Sequence, residues 1–275
     1  MTHSRPDEPI GVFDSGVGGL TVLRALEQEL PGERFVYLGD TARLPYGTKS
    51  EATVQRYAVQ AARLLLDAGV KALVIACNTA SAVALDALRA AYRDVPVFGV
   101  VEPGAAAACR ASKRGAIAVI ATEGTVRGGA YQRAILRIRG DARVLARPCP
   151  LLVTLAEEGW TAGAVPEQVV AAYLGDWLAE AAGPDCLVLG CTHFPILKPL
   201  IEKAAPRGMA LVDSALTTAC EVRDALGGGE ARNAAGSARP RRRLLATDNR
   251  ERFARVGRVF LGEALSPEQI ELVDL

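Results

Sequence analysis

The sequence predicts an α/β protein of two similar domains, each a mostly parallel sheet flanked by helices, with an active site in the cleft between them. Two observations carry that class. Short apolar runs at 10–13, 35–38, 72–76, 97–100, 116–120, 144–146, 186–189 and 209–212 alternate with helix-length amphipathic segments such as 53–66, 81–92 and 166–180, and repeated β-α alternation defines an α/β fold. The runs are continuously hydrophobic rather than alternating, as parallel strands covered on both faces require.

Taken in order, several runs end in polar clusters. The first leads into Asp14-Ser15-Gly16-Val17-Gly18-Gly19, the second into Gly39-Asp40-Thr41, and the third into Cys77-Asn78-Thr79 ahead of a helical pattern at 78–92. In the second half, the alanine run at 105–108 reads as helix filler, and the strand at 186–189 leads into Cys191-Thr192-His193 ahead of a helical pattern at 194–203. Open α/β sheets bind ligands beyond the carboxyl ends of their strands, where these clusters fall. The expected division is 9–99 plus 212–271 for one domain and 100–211 for the other. The tail holds a Gly- and Ala-rich stretch at 227–236, a strand at 243–246 and a helix at 249–261. One strand and one helix cannot bury a core alone, so the tail is expected to pack back on the first domain.

Composition removes several classes of function. The 275 residues carry 32 Lys plus Arg against 31 Asp plus Glu, a net charge of +1, which supplies no bulk attraction for nucleic acid or an anionic membrane. The basic run Arg-Pro-Arg-Arg-Arg at 239–243 reads as a solvated loop. The six cysteines show neither CxxC spacing nor zinc-like clustering with histidine. A disulfide framework and a metal site are therefore not expected, and reduced thiols in the cytoplasm are. No signal peptide is expected at the start of the chain and no membrane span within it. The glycine loop at 16–19 is neither GxGxxG nor a Walker A sequence, so no nucleotide cofactor is expected. His3 is given no role, and Cys109, Cys149, Cys186 and Cys220 read as core.

Cys77 and Cys191 differ from those four because they stand in matching frames, Leu-Val-Ile-Ala-Cys-Asn-Thr and Leu-Val-Leu-Gly-Cys-Thr-His. One thiol presented twice suits chemistry with two faces, in which one base removes a proton from a carbon and a second group returns one from the other side. A helix amino end would lower each thiol from its ordinary pKa of ~8.5. Asn78, Thr79, Thr192 and nearby backbone N–H groups can hold a carboxylate, which eases loss of an α-proton. Asp14 and His193 are candidate partners for the two thiols.

Five ordered blocks then resemble the glutamate racemase family over nearly the whole chain, from Ile10 to about Leu261. They are Gly11-Val12-Phe13-Asp14-Ser15-Gly16-Val17-Gly18-Gly19-Leu20-Thr21-Val22, Tyr37-Leu38-Gly39-Asp40-Thr41-Ala42-Arg43-Leu44-Pro45-Tyr46-Gly47, Ala76-Cys77-Asn78-Thr79-Ala80-Ser81, Gly99-Val100-Val101-Glu102-Pro103-Gly104 and Leu189-Gly190-Cys191-Thr192-His193-Phe194-Pro195. The resemblance implies a cofactor-independent racemase that supplies D-glutamate for peptidoglycan, as a homodimer. It implies Cys77 and Cys191 as paired acid and base, assisted by Asp14, His193 and Glu157. Asp14, Ser15, Tyr46, Gly47, Asn78, Thr79, Thr122, Thr125, Thr192 and His193 become substrate contacts, and Asp40 and Arg43 shape the cleft. Whether Asp14 and His193 or Asp40 and Glu157 tune the thiols stays open. Gly128, Leu44 and Thr154 depart from the residues usual in the family, at the edges of the expected site. No long segment precedes the first strand, so regulation by a cell-wall precursor is not expected. Two alternatives are an aspartate racemase of the same superfamily, and a binding or inhibitory protein resting on the basic run at 239–243.

Overall fold

A computed structural model describes residues 8–179, 183–227 and 241–275. His3, Glu180, most of the Gly- and Ala-rich stretch, and Arg239 and Pro240 of the basic run lie outside the described residues.

The first domain runs β1 (Ile10–Asp14), α1 (Leu20–Glu29), β2 (Phe35–Gly39), α2 (Glu51–Asp67), β3 (Ala72–Ile75), α3 (Asn78–Ala91) and β4 (Val97–Gly99). The second runs α4 (Val101–Ala111), β5 (Ala116–Ala121), α5 (Glu123–Gly128), α6 (Ala130–Ile138), β6 (Arg143–Pro148), α7 (Pro150–Glu157), α8 (Ala164–Leu178), β7 (Cys186–Gly190), α9 (Lys198–Ala204) and β8 (Ala210–Asp213). The chain closes with α10 (Ser214–Ala225), β9 (Arg242–Ala246), α11 (Arg250–Leu261) and β10 (Ile270–Leu272).

Among the described residues every strand pairing is parallel. One sheet has the order β10-β9-β2-β1-β3-β4 and the other β6-β5-β7-β8. Burial explains the continuous apolar runs, since β1, β2, β3, β5 and β7 are buried at every position. The edge strand β6 is not, and there Arg143 and Arg147 fit beside Val144 and Leu145. β9 pairs with β2, and β10 extends that sheet further. The second sheet keeps the chain through Asp213. α10 then packs on both α1 and α4, joining the two domains at their backs.

The described arginines of the basic run, Arg241 to Arg243, do not form a free cationic patch. Arg241 donates to the Glu27 carbonyl, Arg242 pairs with Glu27 and Glu263, and Arg243 pairs with Glu271 at 2.7 Å. Among the described residues no helix is long and apolar enough to cross a membrane, and no cluster of His, Cys, Asp or Glu could hold a metal.

Candidate active site

The carboxyl ends of β1 and β3 deliver Asp14 and Cys77, and that of β7 delivers Cys191. One cavity of about 40 Å³ is lined by Ser15, Gly16, Leu44, Pro45, Tyr46, Gly47, Cys77, Asn78, Thr79, Thr122, Val153, Glu157, Cys191, Thr192 and His193. Both thiols therefore face one space between the two sheets. Of the sequence-selected residues, Asp14 and Thr125 stand just behind the lining. Thr125 Oγ1 lies 3.2 Å from Thr79 Oγ1 and 3.0 Å from Thr122 Oγ1. Thr79 and Thr122 Oγ1 are themselves 2.9 Å apart, so three hydroxyls from α3 and the start of α5 form one cluster.

The surroundings of the two thiols differ. Cys77 caps the amino end of α3 and its Sγ lies 3.4 Å from Ser15 Oγ. A lowered pKa was the expectation for a thiol at that position, and the structure corrects it. Burial, then the negative charge of Asp14, push the Cys77 thiol up to about 12, outweighing the hydrogen bonds from Ser15 and the backbone N–H of Ala80. Desolvation of the anion wins here because the thiol is almost wholly enclosed. Asp14 is itself buried and its Oδ2 accepts from Gly16 N at 2.9 Å, while Oδ1 has no partner. Burial raises its carboxyl, although the charge of His193 and neighbouring backbone N–H groups oppose the rise.

Cys191 lies 3.7 Å from His193 Nδ1, and His193 Nε2 lies 3.3 Å from Glu157 Oε1. Burial alone would lower the His193 pKa. Contacts with Cys191 and Glu157 outweigh it and lift the imidazole to about 10. Burial would raise Glu157, but His193 and Arg252 hold its carboxyl below the usual range. Arg252 Nη2 donates to Glu157 Oε2 at 2.8 Å. A relay thus runs Cys191–His193–Glu157–Arg252, ending on α11 of the other domain. The expected helix at 194–203 is also corrected. Residues Phe194–Leu197 form a 3₁₀ turn, and α9 begins only at Lys198. Pro195 and Pro199 cannot donate backbone hydrogen bonds, which delays a regular helix. Cys191 therefore has the His193 ring beside it and no regular helix amino end directly after it.

Close packing holds His193 in place. A Cβ at Gly18 would stand 2.4 Å from its Nδ1 and 2.5 Å from Thr192 Oγ1. The ring meets Phe260 edge-on at 5.1 Å between centroids. Asp40 touches neither thiol. It accepts from Tyr46 Oη, from Arg43 Nε at 2.7 Å and from Thr247 Oγ1 at 3.0 Å, holding the 43–47 loop against the first sheet. The alternative with Asp40 as a thiol partner is thereby corrected. Of the three departures, Leu44 lines the cavity, Thr154 is exposed on α7 and Gly128 ends α5. Sequence reasoning assigned no role to Val153, Arg252 or Tyr131. No local pattern marks Tyr131, and its Oη donates to Asn78 Oδ1 at 2.8 Å.

Residues 10–222 match the Asp/Glu/Hydantoin racemase family, and the chain belongs to it. It is thus an enzyme of the racemase class. Within that class it sides with the glutamate racemases. It is 48% identical over 275 residues to the glutamate racemase of Neisseria meningitidis serogroup C / serotype 2a, covering 100% of both chains. Its fold is similar to the crystal structure of Francisella tularensis glutamate racemase in complex with D-glutamate, at a TM-score of 0.87 and 37% identity, covering 98% of each chain. It is also similar to glutamate racemase from Thermus thermophilus in complex with beta-chloro-D-alanine, at a TM-score of 0.83 and 44% identity, again covering 98% of each.

Proposed function

We propose that this protein interconverts L- and D-glutamate by proton transfer at the α-carbon, with Cys77 and Cys191 as the two acid–base groups. The observation that carries the mechanism is that both sulfurs line one cavity whose remaining lining is rich in hydrogen-bonding groups. One sulfur, as thiolate, takes the α-proton. The C–H electron pair passes into the α-carboxylate as an enediolate, which N–H and O–H donors stabilise. The other thiol gives its proton to the opposite face of that carbon. The product is the mirror image, and the two sulfurs have exchanged protonation states. The step balances with the chain's own groups, so no pyridoxal phosphate, metal or nucleotide is required.

In this reading Asn78, Thr79, Thr122, Thr125 and Thr192 hold the carboxylate end of the substrate. Asp14, with one buried oxygen unpartnered, and Ser15 meet the α-ammonium group. Bringing that cation beside Asp14 offsets the charge that disfavours the Cys77 thiolate. Tyr46 and Gly47 border the substrate side chain. His193, held by Glu157, steadies negative charge on Cys191. The names of the relatives support glutamate over aspartate. The same reading makes the protein a cytoplasmic homodimer, divided near 99 and 212, that supplies D-glutamate for peptidoglycan. Chiral chromatography of L-glutamate and L-aspartate incubated with the purified protein tests it. Racemisation of glutamate well above that of aspartate is expected, and equal or faster turnover of aspartate would overturn the substrate assignment.

A further inference from the structure

Asn78 is the first residue of α3, and its side chain is buried with Nδ2 unpartnered. Its Oδ1 accepts from Tyr131 Oη across the boundary between the two domains. Tyr131 is only 1% exposed, and small residues make room for its ring. A Cβ at Gly104 would stand 3.2 Å from the tyrosine Cε1 and Oη, and one at Gly190, next to Cys191, 3.0 Å from Cε2. Ser214 lies beside the phenol and gives its own proton to the Leu189 carbonyl at 3.2 Å.

An asparagine amide can present either its oxygen or its nitrogen to a ligand, and the group that holds its other end decides which. A phenol proton on Oδ1 turns Nδ2 away from the tyrosine. The amino end of α3 and the hydroxyls of Thr79, Thr122 and Thr125 gather donors at the same place, which suits an anion. We propose that Tyr131 is a positioning residue that orients the Asn78 amide, so that Nδ2 faces the cleft as a donor to the substrate α-carboxylate. This rests on the reading that Asn78 binds that carboxylate. The reverse polarity, with the amide donating to the phenol and the phenol to Ser214, would aim an oxygen at the substrate instead.

Steady-state kinetics of Tyr131→Phe, Asn78→Ala, the double variant and Asn78→Asp test the proposal, with circular dichroism to check folding. Loss of one hydrogen bond to a charged group predicts a KM about tenfold higher for Asn78→Ala. Tyr131→Phe should raise KM by about fivefold with a smaller change in kcat, because the amide is left without its guide. The double variant should be no worse than Asn78→Ala alone, as expected when one residue acts through the other. Asn78→Asp, which keeps the acceptor and loses the donor, should be worse than Asn78→Ala. Additive effects, an unchanged KM in Tyr131→Phe, or a KM retained by Asn78→Asp would each overturn the orientation. An unchanged KM in Asn78→Ala would instead overturn the carboxylate reading beneath it.

Discussion

The two thiols begin from unequal positions, and the inequality is electrostatic. Cys77 is enclosed beside a carboxylate that burial has itself made less acidic, whereas Cys191 faces an imidazole that favours its protonated form. The directions of these shifts set the pH dependence. The Cys77 thiolate fraction grows tenfold per pH unit below about 12, while His193 keeps its proton until about pH 10. Measured kcat/KM should therefore climb between about pH 7 and 9 and bend downward near pH 10 as the imidazolium is lost. A flat profile over that range would contradict these assignments. Gly18 belongs at the same scale. Gly18→Ala places a methyl group where His193 and Thr192 now pack, and an ångström of displacement at reacting groups can lower a rate about 10²-fold. Turnover assays should show that loss, and an unfolding curve should show a further cost of about 1–3 kcal/mol from overpacking. Cys77 and Cys191 were legible because each follows a strand, where chain position alone places a side chain at the ligand edge of the sheet. Tyr131 and Arg252 were not legible. Their partners lie 53 and 95 residues away in sequence, and no local pattern encodes such a meeting.

Among the elements, α11 has the least expected part in the site. Phe253 packs edge-on against Tyr37 at 6.1 Å and Phe260 against the ring of His193, so the helix that follows β9 is anchored from the core side. Its more exposed Arg252 then reaches Glu157 at the end of α7. That carboxylate links the second domain's relay to the first domain's helix. Replacing Arg252 by Gln removes a cation that holds Glu157 ionised. The Glu157 carboxylate should then support the His193 imidazolium less firmly, and the downward bend of kcat/KM near pH 10 should move to lower pH. About a tenfold loss of kcat near neutral pH is expected, with Arg252→Lys restoring part of it. An unchanged bend would show that the ion pair only decorates the surface. The helix itself was legible from its periodicity. Strand β10 was not, because its Ile-Glu-Leu is three residues long with one buried position. Pairing with β9, rather than its own composition, makes it a strand.

At the scale of the whole molecule, the fold brings the carboxyl ends of two parallel sheets together so that matching strand ends meet at one cavity. An apolar cavity of about 150 Å³ holds benzene, whereas the space here is about 40 Å³, and an amino acid such as glutamate is larger than benzene. A substrate of that size therefore needs this space to widen. A shared apolar core runs between the domains behind this space, and the contacts at its front include polar and glycine-mediated ones. Thr79 meets Thr122 and Thr125, Asn78 meets Tyr131, and a Cβ at Gly124 would stand 2.8 Å from the Gly47 carbonyl. The two-domain α/β class was readable from runs of apolar residues, but the tight closure was not, because it depends on side chains that touch only after both sheets have formed.

The most direct test of opposed thiols is α-hydrogen exchange in D₂O, followed by mass spectrometry with each pure enantiomer and with Cys77→Ser and Cys191→Ser. Racemisation should fall by about 10²-fold or more in both variants. Each should still wash deuterium into one enantiomer, and the two variants should favour opposite hands. Exchange of the same enantiomer by both variants, or racemisation that survives the loss of either sulfur, would contradict a mechanism in which the two sulfurs act on opposite faces of one carbon.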